Sequence, residues 1–182
     1  MSIDHIPDDF GHWFAGFVDG EGCFYAGSHE QKHKKYHKYY KSMTMLFVLQ
    51  QRADDLPLLE RIRDTLKCGG INSGRGRTGN QMPTYRYTVG KQSDLRKIII
   101  PLFDKFPLRS KKDRDYKCWA HIVRAFDKQR GRVITPQEWA RYQRATEALK
   151  AVRAYDYDPI LAAEIEAQHT PTPQWEQQGL FQ

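Results

Sequence analysis

The chain has 182 residues, of which 40% are hydrophobic and 28% charged. That length holds one domain, or one domain with an appendage, and no apolar run reaches the ~18–20 residues of a membrane span. Lysine and arginine number 29 against 22 acids, a net charge of +7, and this balance points to a polyanionic partner, most often nucleic acid.

The cysteines Cys23, Cys68 and Cys118 are far apart and form no CxxC. A disulfide scaffold and a zinc ribbon are therefore disfavoured, and a reducing compartment is expected. The acidic start, MSIDHIPDD, has no apolar segment of the secretory kind.

In chain order, the first element is DDFGHWFAGFVDGEG. Phe10, Phe14, Phe17 and Val18 recur there at helical spacing. Asp8 or Asp9 is expected to cap this helix and Gly20–Gly22 to end it. CFYAGS reads as a strand, residues 29–41 as a long hairpin loop, and 42–51 as the returning strand. In that strand Met43, Met45, Phe47 and Leu49 share one face, and Ser42, Thr44, Leu46 and Val48 the other. LPLLERIRDTLKCGG predicts a helix stopped by Gly69–Gly70. INSGRGR and TYRYTVG form a second hairpin. SDLRKIIIPLFDKF predicts a helix opened by Ser93 and interrupted at Pro101, and residues 111–129 an amphipathic helix. The capping box Thr135–Glu138, with Pro136 in the first turn, predicts another helix to about residue 154. A short helix, PILAAEIEAQ, and an unstructured tail from His169 follow.

This order is α+β and not alternating βα, so a parallel nucleotide-binding sheet is disfavoured. The expected domains are a core over 1–130, a helical extension over 131–168 and a flexible tail over 169–182.

Charge is unevenly spread. HEQKHKKYHKYYK at 29–41 holds five lysines, three histidines and three tyrosines with one acid, Glu30. RGRTGNQMPTYRY carries Arg75, Arg77 and Arg86, and LRSKKDR is a third basic stretch. Basic residues interleaved with tyrosine suit phosphate and base contacts. The candidate DNA-binding residues are Tyr25, His29, Gln31, Lys32, Lys34, Lys35, Ser42, Thr44, Arg75, Arg77, Arg86 and Thr88. Arginines read guanine edges, and lysines mostly bind phosphate.

WFAGFVDGEG is the most informative stretch. Ala15, Gly16 and Gly20 lie along one side of the helix. A glycine inside a helix costs on the order of 1 kcal/mol against alanine, and close approach of a second helix is the usual compensation. Asp19 and Glu21 fall at the foot of the helix, where a carboxylate beside a glycine carbonyl suits a hard cation.

FAGFVDGEG, residues 14–22, resembles the LAGLIDADG motif of homing endonucleases, with Phe14 for the leading leucine and Glu21 for the second aspartate. FVLQQRADDLPLLERI resembles the end of that family's second strand and its next helix. FPLRSKKDRDYKCW resembles the segment before its last core helix. The resemblance implies an αββαββα saddle whose sheet follows the DNA major groove. It also implies a homodimer, since one motif is present, with Ala15, Gly16 and Gly20 at the seam and a pseudo-palindromic target.

The implied activity is double-strand DNA hydrolysis with Mg²⁺ or Mn²⁺. Glu21 and the Gly20 carbonyl are the implied metal ligands. Gln51 is implied to place the water, and Lys111, or Lys112 in a register shifted by one, to stand near the scissile phosphate. Asp55 falls where the family carries a further basic residue, for which Arg52 or Arg61 can substitute. Asp19 is assigned to structure.

The family likeness leaves two alternatives to intron homing: an RNA maturase acting on intron RNA, and a non-catalytic DNA-binding regulator. Cytoplasmic placement in a bacterium or phage, or an organelle in a eukaryote, is expected. The end of the chain, QQGLF, resembles peptides that dock on a bacterial sliding clamp.

Overall fold

Phe10, Phe14 and Val18 recur on one side of helix α1 (Asp8–Glu21), and all three are buried. They set the position of this helix on the sheet. The structure, a computed structural model, describes residues 3–32, 39–74, 83–127 and 134–153. The expected contacts Lys34, Lys35, Arg75 and Arg77, the predicted helix PILAAEIEAQ and the tail from His169 lie outside the described residues.

α1 starts after Pro7, and no side chain caps it. Asp8 and Asp9 sit inside its first turn, where their charge still complements the helix dipole. Asp8 also takes a hydrogen bond from Lys105 at 2.7 Å. The helix runs to Glu21, and Gly22 passes directly into extended backbone. A Cβ at position 22 would fall 2.5 Å from a Val18 methyl, so only glycine lets the chain leave the helix this abruptly.

Strand β1 (Gly22–Lys32) pairs antiparallel with β2 (Tyr39–Arg52) along its whole length. The strands thus extend well into the segment expected to be a hairpin loop. Part of the reason lies in the pairing itself. Glu30, the lone acid of that segment, stands directly opposite Lys41 and pairs with it at 3.6 Å. A single 3₁₀ turn (Ala53–Asp55) leads to α2 (Leu56–Leu66), whose Leu59, Ile62 and Leu66 are buried. Lys67, in the left-handed conformation, ends this helix ahead of the two glycines expected to do so. β3 (Gly70–Ser73) and β4 (Thr84–Val89) complete an antiparallel sheet of order β1-β2-β4-β3.

The third helical region differs from its expectation. α3 (Gln92–Asp94), a π-helical stretch (Leu95–Ile99) and α4 (Ile100–Lys105) follow one another without a break, and Pro101 does not interrupt them. Proline lacks the N–H for a regular bond and its ring crowds the preceding turn. The widened π turn just before it relieves that crowding. The helix opens after Lys91, and the Ser93 hydroxyl donates to Asp94 instead of capping.

α5 (Lys112–Asp127) and α6 (Pro136–Arg153) follow. The predicted capping box is formed. The Glu138 N–H donates to the Thr135 hydroxyl, and the Thr135 N–H to the Glu138 carboxylate. α6 buries Trp139, Tyr142, Thr146 and Leu149, with contacts to α5 and β1.

The resulting α+β molecule has one sheet with its core on a single face. Phe24, Phe47, Leu49, Tyr87 and Val89 point into that core. There Phe24 meets Phe47, Phe103 and Trp119 at ring separations of 5.2–5.6 Å. The other face carries the exposed residues Cys23, Tyr25, Ser42, Gln50 and Arg86. Among the described residues, no helix is long and apolar enough to cross a membrane.

Candidate active site and nucleic-acid interface

Strand pairing determines which residues can meet a ligand on the open face. Cys23 lies opposite Val48, Tyr25 opposite Leu46, and Gln50 opposite Arg86. Together with Glu21 these side chains line a groove of about 390 Å³. Arg86 donates to the Gln50 side-chain oxygen Oε1 at 2.9 Å, so its guanidinium is held at the rim. The predicted contacts Tyr25, His29, Ser42, Thr44, Arg86 and Thr88 all fall on this one face, because alternate residues of paired strands share a side. Gln31 and Lys32 extend β1 toward the hairpin end.

Glu21 is exposed at the last position of α1, at one end of the groove. The pairing of Gly22 with Leu49 brings Gln50 and Gln51 level with the last turn of the helix, from opposite faces of β2. Gln50 faces the groove. Gln51 faces the helices, half-buried, and its Nε2 is buried without a hydrogen-bond partner. Sequence reading singles out Gln51 and misses Gln50. The alternation already noted for Ser42 to Val48, extended by one step, reaches Gln50.

Asp19 explains how the segment before α5 reaches this site. Its carboxylate accepts hydrogen bonds from the Arg109 N–H (2.8 Å), the Ser110 N–H (3.2 Å) and the Ser110 hydroxyl (2.7 Å). The foot of α1 is thereby tied to the start of α5. Lys112, the first residue of α5, then reaches back to the Gly22 carbonyl at 2.6 Å and the Gly20 carbonyl at 3.4 Å. Of the two lysines that the sequence offers, Lys112 is therefore the one at the carbonyls flanking Glu21. Lys111 is exposed one residue before the helix.

The basic substitutes for Asp55 are also placed. Arg52 follows Gln50 on the open-face alternation and is ion-paired with Asp54, whose carboxyl it holds below the usual range by hydrogen bonding. Arg61 is exposed on α2.

Carboxylate and carbonyl oxygens, the donor type a hard cation takes, lie at the foot of α1. The Gly20 and Gly22 carbonyls converge on a positive charge, the Lys112 ammonium, and Glu21 adds a carboxylate next to them. Among the described residues no group of three or more His, Cys, Asp or Glu side chains comes together to hold a metal. The described residues of one chain therefore offer Glu21 without a cluster of further ligating side chains.

The far side of α1 is open. A Cβ at Gly16 or Gly20 would meet nothing within 4 Å, whereas one at Gly11 would run into the Phe106 ring. Ala15 is buried, and Trp13 beside this stripe is 43% exposed and stacks on Phe17. Beside it, His12, Ala15, Gly16, Asp19, Pro107 and Arg109 line a second groove of about 380 Å³.

The chain is similar to several known proteins. The family model described as LAGLIDADG endonuclease matches residues 14–123, more than half of the chain. A curated relative from Schizosaccharomyces pombe, "Probable intron-encoded endonuclease Cox1-I1b", is 31% identical over 107 residues, covering 59% of this chain and 25% of that protein. The solved homing endonuclease I-TnaI aligns with a TM-score of 0.61 and 26% identity, over 79% of this chain and 95% of its own. The meganuclease I-SmaMI bound to uncleavable DNA aligns with a TM-score of 0.62 and 28% identity, over 79% of this chain and 45% of its own. The chain spans about a quarter of the length of the curated relatives it matches. With the matched region running from the α1 motif into α5, over the sheet and the foot of α1 described above, the chain belongs to the LAGLIDADG endonuclease family.

Proposed function

We propose that the protein is an intron-encoded, site-specific DNA endonuclease that hydrolyses both strands of a near-palindromic target as a homodimer. The observation that carries this reading is the meeting of Glu21, the Gly20 and Gly22 carbonyls and Lys112 at the edge of an open, partly basic sheet face. Family membership supports it, as does the uncleavable DNA bound by the similar meganuclease I-SmaMI.

Phosphodiester hydrolysis needs a positioned water, neutralised phosphate charge and help for the leaving oxygen. A divalent ion such as Mg²⁺ or Mn²⁺, held by Glu21 and the Gly20 carbonyl, supplies Lewis-acid assistance when bound. The chain's own residues do the rest. Lys112 brings a positive charge to the foot of α1, where it stabilises charge developing on the phosphate. Gln51, on the helix-facing side of β2 at the last turn of α1 and with an unpartnered Nε2, offers its amide to the water from the side opposite Gln50. Asp19 holds the loop that delivers Lys112. Arg86 and the polar residues of the open face hold the duplex in register.

A second copy completes the site. Packing of Gly16 and Gly20 against the same stripe of a partner places two Glu21 side chains near one axis, one for each strand.

The test is cleavage of duplex DNA carrying the uninterrupted insertion sequence of the host gene. Wild type is expected to cut it with Mg²⁺ or Mn²⁺. Glu21→Gln is expected to bind with similar affinity and to cut at least ~100-fold more slowly. A wild-type protein inert on that duplex, or a Glu21→Gln variant of undiminished rate, would overturn the reading. Splicing assays with the same variant separate a maturase role, which does not require the carboxylate.

A further inference from the structure

An antiparallel sheet with one covered face usually presents polar side chains on the other. Here the middle of the open face is apolar. Tyr25 with Leu46 and Cys23 with Val48 form two neighbouring cross-strand pairs along the groove beside Glu21. Tyr25 is 37% exposed. The core does not use these side chains, since Phe24, Phe47 and Leu49 fill it from the opposite face.

Two glycines shape the strip. A Cβ at Gly27 would fall 2.5 Å from the Tyr25 hydroxyl oxygen, and one at Gly90 would fall 2.8 Å from a Leu46 methyl. Without those Cβ atoms, Tyr25 lies along its own strand and Leu46 leans toward β4. The groove floor between them stays accessible.

We infer that this strip reads the C5-methyl groups of thymines in the major groove beside the bonds that are cut. The inference rests on the endonuclease reading above and names part of what that site recognises. The major-groove edges of base pairs offer hydrogen-bond donors, acceptors and one apolar feature, the thymine methyl. The apolar side chains of the strip, Cys23, Leu46 and Val48, offer no partner to phosphates or polar base edges. Its rim, by contrast, is suited to them. Arg86, fixed by Gln50, keeps guanidinium N–H groups for a guanine edge, and Lys112 lies at the Glu21 end. An apolar peptide would also fit the strip. The chain's charge of +7 and the arginine at the groove rim favour a polyanion instead.

The experiment uses the full chain without divalent cation, and duplexes it retains from a randomised DNA library. Each dT of a retained site is replaced singly by deoxyuridine, which removes only the methyl group. One or two central positions are expected to lose about fourfold in affinity, the value of one buried methyl, while other dT positions change little. Val48→Thr keeps the shape but places a hydroxyl in the strip. It is expected to lower the dT-to-dU ratio at those positions, since one of its two γ-methyls is replaced by a hydroxyl, with an unchanged thermal midpoint. If no dT-to-dU replacement alters affinity, thymine reading is refuted and the DNA reading stands. If no duplex is retained at all, both fall. If Val48→Thr disrupts self-association and leaves the dT-to-dU ratio intact, the strip belongs to a protein partner and the inference is overturned.

Discussion

The glycines of α1 make a prediction in which the same substitution changes sign along one helix. Gly11, Gly16 and Gly20 all sit within α1. Replacing a helix-interior glycine by alanine gains roughly 0.5–1 kcal/mol from backbone entropy and propensity. At Gly16 nothing opposes that gain within one chain, because a Cβ there meets open space. For a chain of this size the gain corresponds to a thermal midpoint about 1–4 °C higher.

At Gly11 the new Cβ runs into the Phe106 ring. That ring is 2% exposed, faces His12 edge-on at 5.0 Å and lies under Lys105 at 4.8 Å, so it has no room to swing away. Overpacking of this kind costs ~1–3 kcal/mol. Set against the propensity gain, Gly11→Ala is expected to lose about 1–2 kcal/mol and to lower the midpoint by about 2–8 °C.

Association runs the other way. If a second copy approaches along Gly16 and Gly20, each added Cβ pushes the helices apart, and Gly16→Ala is expected to weaken dimerisation about tenfold or more, ~1.4 kcal/mol. Denaturation is measured at dilutions where the wild type is monomeric, and sedimentation is followed across concentration. A Gly16→Ala variant that associates like wild type refutes the glycine seam. A Gly11→Ala variant stabilised as much as Gly16→Ala refutes the packing argument.

Other outcomes follow from single contacts. Asp19→Ala removes the acceptor for three donors and is expected to cost about 1–2 kcal/mol in denaturant unfolding. It should also slow cleavage, since the Lys112 segment loses its tether, while Asp19→Asn, which keeps one acceptor, recovers part of both. Cys23 is exposed in the groove, whereas Cys68 is buried and burial pushes its thiol pKa up. Brief iodoacetamide treatment should therefore label Cys23 first, by peptide mass analysis, and block DNA binding in step with labelling; Cys23→Ser should remove that sensitivity. Burial raises the pKa of Tyr87 and Tyr116 well above the ordinary value, so both stay protonated in the folded chain. Their contribution is complete below about pH 10. It declines as pH rises further, because the unfolded chain releases those protons first. Tyr116→Phe should flatten this alkaline loss of stability in denaturant titrations between about pH 9 and 11, and an unaltered slope would refute the assignment.

Much of the fold is legible in short-range pattern. Helical spacing of Phe10, Phe14 and Val18 fixes the buried side of α1. Alternation from Met43 to Leu49 fixes which face of β2 is covered. The Thr135–Glu138 capping box marks the start of α6 to the residue. These are local rules, in which each residue's neighbours along the chain are also its neighbours in space. The same alternation is enough to group Ser42 with Thr44 on one side of β2, and Arg86 with Thr88 on one side of β4.

Elsewhere contacts distant in sequence decided the outcome. Pro101 reads as a helix break, yet the buried Ile98, Ile99, Leu102 and Phe103 on either side keep the helix continuous, and a π turn absorbs the proline. Which of Lys111 and Lys112 reaches the carbonyls at the foot of α1 rested on one residue of register. It follows from Asp19, some ninety positions earlier, which grips Arg109 and Ser110 and so aims the first residue of α5 at the foot of α1. The groove itself is likewise tertiary, because Cys23, Val48 and Arg86 come from three strands whose pairing only the folded sheet defines. Composition and spacing determined which elements form and which sides they bury. The pairing of remote segments determined which charged and apolar groups stand within reach of one another, because hydrogen bonds and side-chain packing act only over a few ångströms.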